Sequence, residues 1–264
     1  MDLKIYSNWQ IPKFKVLYWS GKEHDYCVVI PVINEGRRIV NFLNRISSLQ
    51  INKESDIIIV DGGSSDNSLI IDNLKSLGVK GLLVKTDDGK LSAQLRCAYS
   101  YALSKGYRGI ITIDGNDKDD PEAITYFIKC LRKGVDFVQA SRFIKGGQSE
   151  NTPLIRKIAI KYIHAPILRF FSGYNWTDTT QGFRGYSKKI LLDAKVAPFR
   201  SIFNSYELLP YLSYRIPKLG YRCCEIPTKR KYPKGIVPTK INSLKDYFNL
   251  FIILIKACIG IYNP

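Results

Sequence analysis

The chain offers little from which to build a zinc cage or a disulfide scaffold. It has two histidines in 264 residues, and six cysteines with no C-x-x-C pair among them. A structural zinc site needs four closely spaced Cys or His ligands, and a disulfide framework needs regular cysteine spacing. Both are excluded as organising features, and reduced thiols are expected. Internal repeats and low-complexity tracts are also lacking, which excludes solenoids and long linkers. The longest apolar stretch, Tyr247 to Tyr262, is 16 residues with Lys256 inside it; crossing a bilayer takes ~20. The opening MDLKIYSNWQIPKFKVLYWS lacks the continuous apolar core of a signal peptide, so a chain working inside the cell is expected. Acid is scarce as well: 23 Asp and Glu stand against 40 Lys and Arg, a formal net charge of +17. That balance predicts attraction to nucleic acid, anionic lipid or phosphorylated small molecules. RNP-like motifs and basic-aromatic interleaving are missing despite 17 tyrosines, which sets nucleic acid aside.

At 45% hydrophobic, the chain can bury one sizeable core, so a single α/β domain with appendages is expected. Short apolar runs alternate with helical spacing. Cys27 to Pro31, Asp56 to Val60, Gly81 to Lys85, Gly109 to Ile113 and Val135 to Gln139 read as strands; Glu35 to about Leu49 and Ser92 to Ser104 read as helices. This alternation predicts a doubly wound, mostly parallel sheet covered on both faces. Ligands bind such sheets outside the carboxyl ends of the strands. Three polar clusters fall at strand ends: Pro31 to Glu35, Asp61 to Asp66, and Asp114 to Asp120. All three are expected on one rim.

The third cluster concentrates acid in a basic chain, with Asp114, Asp117, Asp119, Asp120 and Glu122 inside nine residues. Asp114 and Asn116, delivered by a strand to a tight turn, suit a divalent cation held against a diphosphate. Asp119 and Asp120 precede Pro121 and equally suit the cap of a following helix. An EF-hand is excluded, because that spacing puts Lys118 at a ligand position and Asp119 where the glycine belongs.

Five segments together resemble the ordered motif set of family 2 glycosyltransferases with the GT-A fold. They are Cys27 to Glu35, Ile58 to Asp66, Ile113 to Asn116, Ala140 to Gly147 and Gln181 to Tyr186. The nearest branch is the dolichol-phosphate mannose synthase-like and polyprenyl-phosphate glycosyltransferases, and the resemblance spans about Cys27 to Pro238. It implies inverting transfer of a sugar from a nucleotide diphosphate donor, UDP- or GDP-linked. Pro31, Asn34, Glu35, Asp61 and Lys90 would lie near the nucleotide, and Mg2+ or Mn2+ would sit at Asp114 and Asn116. Asp178 and Gln181 would lie by the donor sugar or acceptor, with Glu207 on the family's later helix. Two departures stand out. The usual Asp-x-Asp reads Asp114-Gly-Asn116, and a position often held by a metal-binding Gln is Lys118. An ammonium cannot ligate a cation, so either the metal is held by fewer protein ligands and more water, as magnesium tolerates, or Lys118 itself neutralises part of the diphosphate; metal dependence is expected to be weaker than usual.

A phosphate acceptor is already anionic and needs only cations to hold it; Arg142 and Arg156 match arginines of that branch, with Lys157 and Lys161 nearby. A sugar hydroxyl needs a base, for which Asp178 and Glu207 are the candidates. The tail reads either as an in-plane membrane helix, drawn to anionic lipid by Lys229-Arg-Lys231 and neighbouring lysines, or as a helix packed on the core. The expected organisation is a lead-in (1–26), a GT-A domain (27–238) and an amphipathic C-terminal helix (239–264). The expected activity is transfer to a polyprenyl phosphate or lipid-linked glycan by a peripheral enzyme at the cytoplasmic side of the inner membrane. The alternative is a polysaccharide-building transferase with a hydroxyl acceptor.

Overall fold

A computed structural model describes residues 8–233 and 244–264. Its strands are β1 (Phe14–Trp19), β2 (Tyr26–Val32), β3 (Asp56–Asp61), β4 (Val79–Lys85), β5 (Gly109–Thr112), β6 (Phe137–Ser141), β7 (Gln148–Glu150), β8 (Arg184–Ser187), β9 (Cys223–Pro227) and β10 (Lys229–Lys231). Its helices are α1 (Arg37–Ser48), α2 (Ile71–Ser76), α3 (Leu91–Ser104), α4 (Ile124–Arg132), α5 (Leu154–Ala159), α6 (Ala165–Ser172), α7 (Lys188–Leu192), α8 (Leu208–Lys218) and α9 (Leu244–Cys258). One turn of π-helix, Ile160–His164, joins α5 to α6.

Eight strands form one sheet in the order β1-β4-β3-β2-β5-β8-β6-β9, and β10 pairs with β7 in a separate ribbon. Within the large sheet β1 and β8 run antiparallel to their neighbours and the other pairings are parallel. Strands β2, β3 and β5 are buried along their whole length, as strands covered on both faces must be. The chain winds from β2 through β3 to β4, then crosses to the other side of β2 to lay down β5. The strand order therefore reverses between β2 and β5, and their carboxyl ends open onto the crevice where such sheets bind ligands.

Residues of the expected lead-in join the sheet as β1, whose Trp19 ring meets Tyr101 edge-on at 5.4 Å. This cover explains α3, which is buried on every side: Cys97 Sγ donates to the Pro12 carbonyl, and Arg96 donates to that of Gln10. At the other end, α9 is two-faced. Leu254, Ala257 and Cys258 are buried in the core cluster shared with α8 and α6, whereas Tyr247, Phe248 and Phe251 are exposed. The helix is both a packed helix and an amphipathic one. The expected boundary near residue 238 lies outside the described residues. Among the described residues no helix is long and apolar enough to cross a membrane.

Candidate active site

The three polar clusters meet on one rim. After β2, Asn34 turns into the left-handed region (φ 50°), and its amide oxygen accepts from Ser65 N at 2.8 Å while its own N–H donates to Ser64 Oγ at 2.9 Å. Asp61, at the end of β3, accepts from Ser64 N (2.9 Å) and Ser64 Oγ (2.6 Å); Asp66 accepts from Gly36 N (2.7 Å). Glu35 accepts from Arg38 Nε (2.9 Å). Pro31 belongs to β2, and its carbonyl lies 3.4 Å from Gly115 N, tying this loop to the Asp114 turn. Gln94 anchors the start of α3 beneath the same rim by donating to the carbonyls of Val32 and Val60. Lys90 precedes α3, with its ammonium 5.5 Å from the Tyr206 ring.

The acidic turn after β5 divides as follows. Asp114 Oδ2 lies 3.5 Å from Asn116 Nδ2 and 3.4 Å from Arg230 Nη2, and its Oδ1 packs against Gly182 so closely that a Cβ there would overlap it. Asp117 pairs with Arg45 at 2.7 Å. Asp120 is the cap, accepting from Glu122 N at 3.3 Å. Asp119 is no cap: it is buried and ion-paired with Arg230. This removes Arg230 from the basic run Lys229-Arg-Lys231 that was expected to attract anionic lipid. Lys229 and Lys231 are exposed, but the alternation of β10 buries Arg230. Backbone bonds from Lys231 N to the Lys118 carbonyl (2.8 Å) and from Asp120 N to the Lys229 carbonyl (3.2 Å) fix that register.

Around Arg230 lies a cluster of cations. Lys118, Arg156 and Arg230 stand 5.2, 5.7 and 5.6 Å from the Tyr232 ring, and Arg156 Nη1 donates to the Tyr232 hydroxyl at 3.3 Å. Burial alone would raise the Tyr232 pKa, but Arg230, Arg142 and Arg156 pull it down to about 8. Burial and the neighbouring Arg230 lower the Lys118 pKa. Burial opposes the charge of Arg230, yet Asp119, Tyr232 and Asp114 outweigh it and hold the guanidinium firmly protonated.

Arg142 and Asp178 form a buried pair at 2.7 and 3.0 Å, and Asp178 also accepts from Gln181 Nε2 at 2.7 Å. Burial pushes the Asp178 carboxyl up, but Arg142 overrides it and holds it below the usual carboxylate range. Arg142 Nη1 and Gln181 Oε1 are buried with no hydrogen-bond partner, an unusual state for polar atoms that a bound ligand would relieve. Three groups hold the loop that carries Asp178. Glu225 accepts from Thr177 N and Asp178 N, Arg184 donates to the carbonyls of Gln181 and Thr179, and His164 meets Thr179 Oγ1 at 2.6 Å. Burial, aided by Arg184, lowers the His164 pKa to about 4, so the imidazole is neutral. Glu207 sits elsewhere, at the start of α8: it accepts from Ser205 N at 2.6 Å and shares its neighbourhood with Arg96 and Tyr262. A shallow cleft of about 270 Å³ beside the Arg142 loop is lined by Phe143, Lys161, Tyr162, Arg169 and Thr177.

The donor set expected to hold a metal fits one poorly. Asp114 supplies one carboxylate that already meets a guanidinium, the Asn116 carbonyl oxygen faces the Lys118 N–H at 3.3 Å, and the third position is an ammonium. A second cluster, Glu23, His24 and Asp56, brings ligand atoms within 4.8 Å of one another, but at the amino ends of β2 and β3, away from the rim. There Asp56 already accepts from Tyr107 Oη (2.6 Å) and the His24 and Glu23 backbone.

Residues 27–193 match the model of the glycosyl transferase family 2, and the chain belongs to that family. It is 27% identical over 202 residues to the undecaprenyl-phosphate mannosyltransferase of Micrococcus luteus, covering 75% of this chain and 80% of that protein. It is 24% identical over 203 residues to the polyprenol monophosphomannose synthase of Mycolicibacterium smegmatis, covering 76% and 75%. Among solved structures it resembles the glucosyl-3-phosphoglycerate synthase of Mycobacterium tuberculosis, solved with Mn2+, UDP-glucose and phosphoglyceric acid. That likeness has a TM-score of 0.62 at 14% identity, covering 91% of this chain and 80% of the other. The fold is therefore GT-A and the chain is a glycosyltransferase, as the five motifs implied.

Proposed function

We propose that the chain transfers a sugar from a nucleoside diphosphate donor, UDP- or GDP-linked, to a polyprenyl phosphate at the cytoplasmic face of the inner membrane. One observation carries the choice of acceptor. Beyond Lys118 and Arg230 beside Asp114, Arg142 and Arg156 also act on Tyr232, Arg156 donating to its hydroxyl at 3.3 Å, so two further cations stand ready for an acceptor phosphate. The names of the two curated relatives, both polyprenol-phosphate enzymes, support it.

The nucleotide half of the donor would lie on the rim formed by Pro31, Asn34, Glu35, Asp61 and Lys90, with its diphosphate toward Asp114 and Lys118. As the bond between the anomeric carbon and the donor phosphate oxygen breaks, its electron pair leaves with the nucleoside diphosphate. An oxygen of the acceptor phosphate forms the new bond from the opposite face, which inverts the centre. No proton need be removed from an acceptor already ionised at neutral pH. Asp178 suits this scheme as the group that positions Arg142 and Gln181, since a carboxylate held low by a guanidinium is a weak base. A hydroxyl acceptor would leave Glu207 as the base, and its surroundings are those of α3 and α8. The Mg2+ or Mn2+ expected at Asp114 and Asn116 enters no step here.

The lipid reaches the site across an apolar, basic surface. Leu154, Ile155, Ile158, Tyr162, Ile163 and Phe170 are exposed on α5, the π-turn and α6, interspersed with Arg156, Lys157 and Lys161; α6 packs on α9, with its exposed Phe248 and Phe251. Such faces lie in the membrane interface and favour anionic lipid. The test is transfer from a panel of UDP- and GDP-sugars to undecaprenyl phosphate in vesicles containing anionic lipid. The expected product is a sugar phospholipid, lost with Arg156→Ala. Transfer to soluble sugar hydroxyls alone would replace this reading with that of a polysaccharide-building enzyme.

A further inference from the structure

We propose that Arg230 and Lys118 are resident counter-charges for the donor diphosphate, standing where a ligated divalent ion would otherwise sit. The inference rests on the reading above that a diphosphate binds at Asp114. In this arrangement Asp114 anchors a guanidinium. Three observations carry it.

The first is position. The β10 backbone is bonded to the turn at residues 118–120, which aims Arg230 at Asp119 and at Asp114 Oδ2, 3.4 Å away. The second is permanence. Asp119 is fully buried, so its pairing with Arg230 is part of the fold, and losing one partner would strand a buried charge. The third is the charge balance. Arg230 pairs with both Asp114 and Asp119, and Lys118 stands near Asp114, so two monovalent cations serve two carboxylates. The net charge equals that of two carboxylates around one divalent ion. A metal approaching Asp114 would have to displace one cation and lie beside the other. The guanidinium also has five N–H donors in a fixed fork, well matched to phosphate oxygens. Neutralising the leaving diphosphate in this way lowers the barrier to carbon–oxygen cleavage as a metal would.

The test uses the full chain with inorganic pyrophosphate and Mn2+ as probes, and needs neither donor sugar nor acceptor. In EDTA, wild type should bind pyrophosphate, and Arg230→Met should weaken that binding by about tenfold to a hundredfold, the usual scale for a lost charged hydrogen bond. By electron paramagnetic resonance of free Mn2+, the double variant Arg230→Met with Lys118→Gln should bind Mn2+ at least about tenfold more tightly than wild type. Because Arg230→Met strands Asp119, Arg230→Met with Asp119→Leu replaces both buried partners, and thermal melting confirms that it is folded. Wild type that binds pyrophosphate only with Mn2+ would overturn the inference, as would unchanged binding in EDTA by the folded Arg230 variants. A mistaken lipid-acceptor reading shows differently: undecaprenyl phosphate receives no sugar while both probe results stand.

Discussion

Between β2 and β3 the rim is held by short-range hydrogen bonds from hydroxyl, amide and backbone groups, with no buried ion pair among the described residues: Asn34 exchanges bonds with Ser64 and Ser65, and Ser64 donates to Asp61. Beyond β5 it is held by charge below the surface. Arg142 pairs with Asp178, Arg230 with Asp119, and Tyr232 lies among cations. The first half is satisfied by its own bonds and needs no ligand to be stable. The second keeps the donor Arg142 Nη1 without a partner and a tyrosine pulled toward ionisation by its cations, the two features on which the proposed anion site rests. Each half should therefore fail differently when perturbed.

The largest difference is expected from Asp178→Ala, which leaves the Arg142 guanidinium buried and unpaired and should cost about 3–5 kcal/mol of stability. Ser64→Ala, on the first half, should cost about 1 kcal/mol. Urea unfolding compares the two, and equal losses would erase the distinction drawn above.

The next effect is one of pH. Tyr232 has its pKa lowered from 10.0 to about 8 in the folded protein. The folded state therefore releases this proton first, and the contribution to stability is absent below pH 8 and grows as pH rises toward 10. Two units correspond to ~3 kcal/mol. The difference between wild type and Tyr232→Phe isolates it from the other tyrosines. Tyrosinate absorbance should show one early-titrating group, and added pyrophosphate should move it upward by offsetting the surrounding cations. No early group, or no response to pyrophosphate, would remove the anion site from the cationic half.

Smaller again is Gly182→Ala. The new methyl group would press on Asp114 Oδ1, and the relaxation should cost about 1–3 kcal/mol. Because the carboxylate must move, sugar transfer should fall further than stability does, a split visible when kcat is set beside the melting temperature.

The first half was legible in the sequence because it follows from local pattern. Apolar runs such as Asp56 to Val60 end in turn formers, and strand alternation then fixes where Asn34 and Asp61 emerge. The cationic half was legible only in pieces. Arg142, Arg156 and Lys118 could be picked out, but Arg230 and Tyr232 could not: Arg230 reaches Asp114 across 116 residues of chain from a three-residue strand, and Tyr232 follows that strand directly. The one local sign was alternation: in Lys229-Arg-Lys231 the middle residue faces opposite to its neighbours. His164 was likewise passed over, and its role on Thr179 depends on a π-turn that no periodicity announces. β1 was read as a lead-in because only its pairing with β4 makes it part of the sheet.

The smallest effect on stability separates the two faces of α9. Phe248 is 62% exposed and Ala257 is wholly buried. Phe248→Ala should change stability by no more than about 0.5 kcal/mol, as exposed substitutions do. Ala257→Leu should overpack the contact with the core and cost about 1–3 kcal/mol. Binding to anionic vesicles should rank them the other way. A phenylalanine side chain contributes about 1.5–3 kcal/mol when fully buried in an apolar medium, so losing Phe248 should weaken vesicle binding by about tenfold. Ala257→Leu, in the protein that remains folded, should leave it unchanged. If Phe248→Ala bound vesicles as wild type does, the exposed face of α9 would have no part in lipid contact, and the route to the cationic site would fall to α5 and α6 alone.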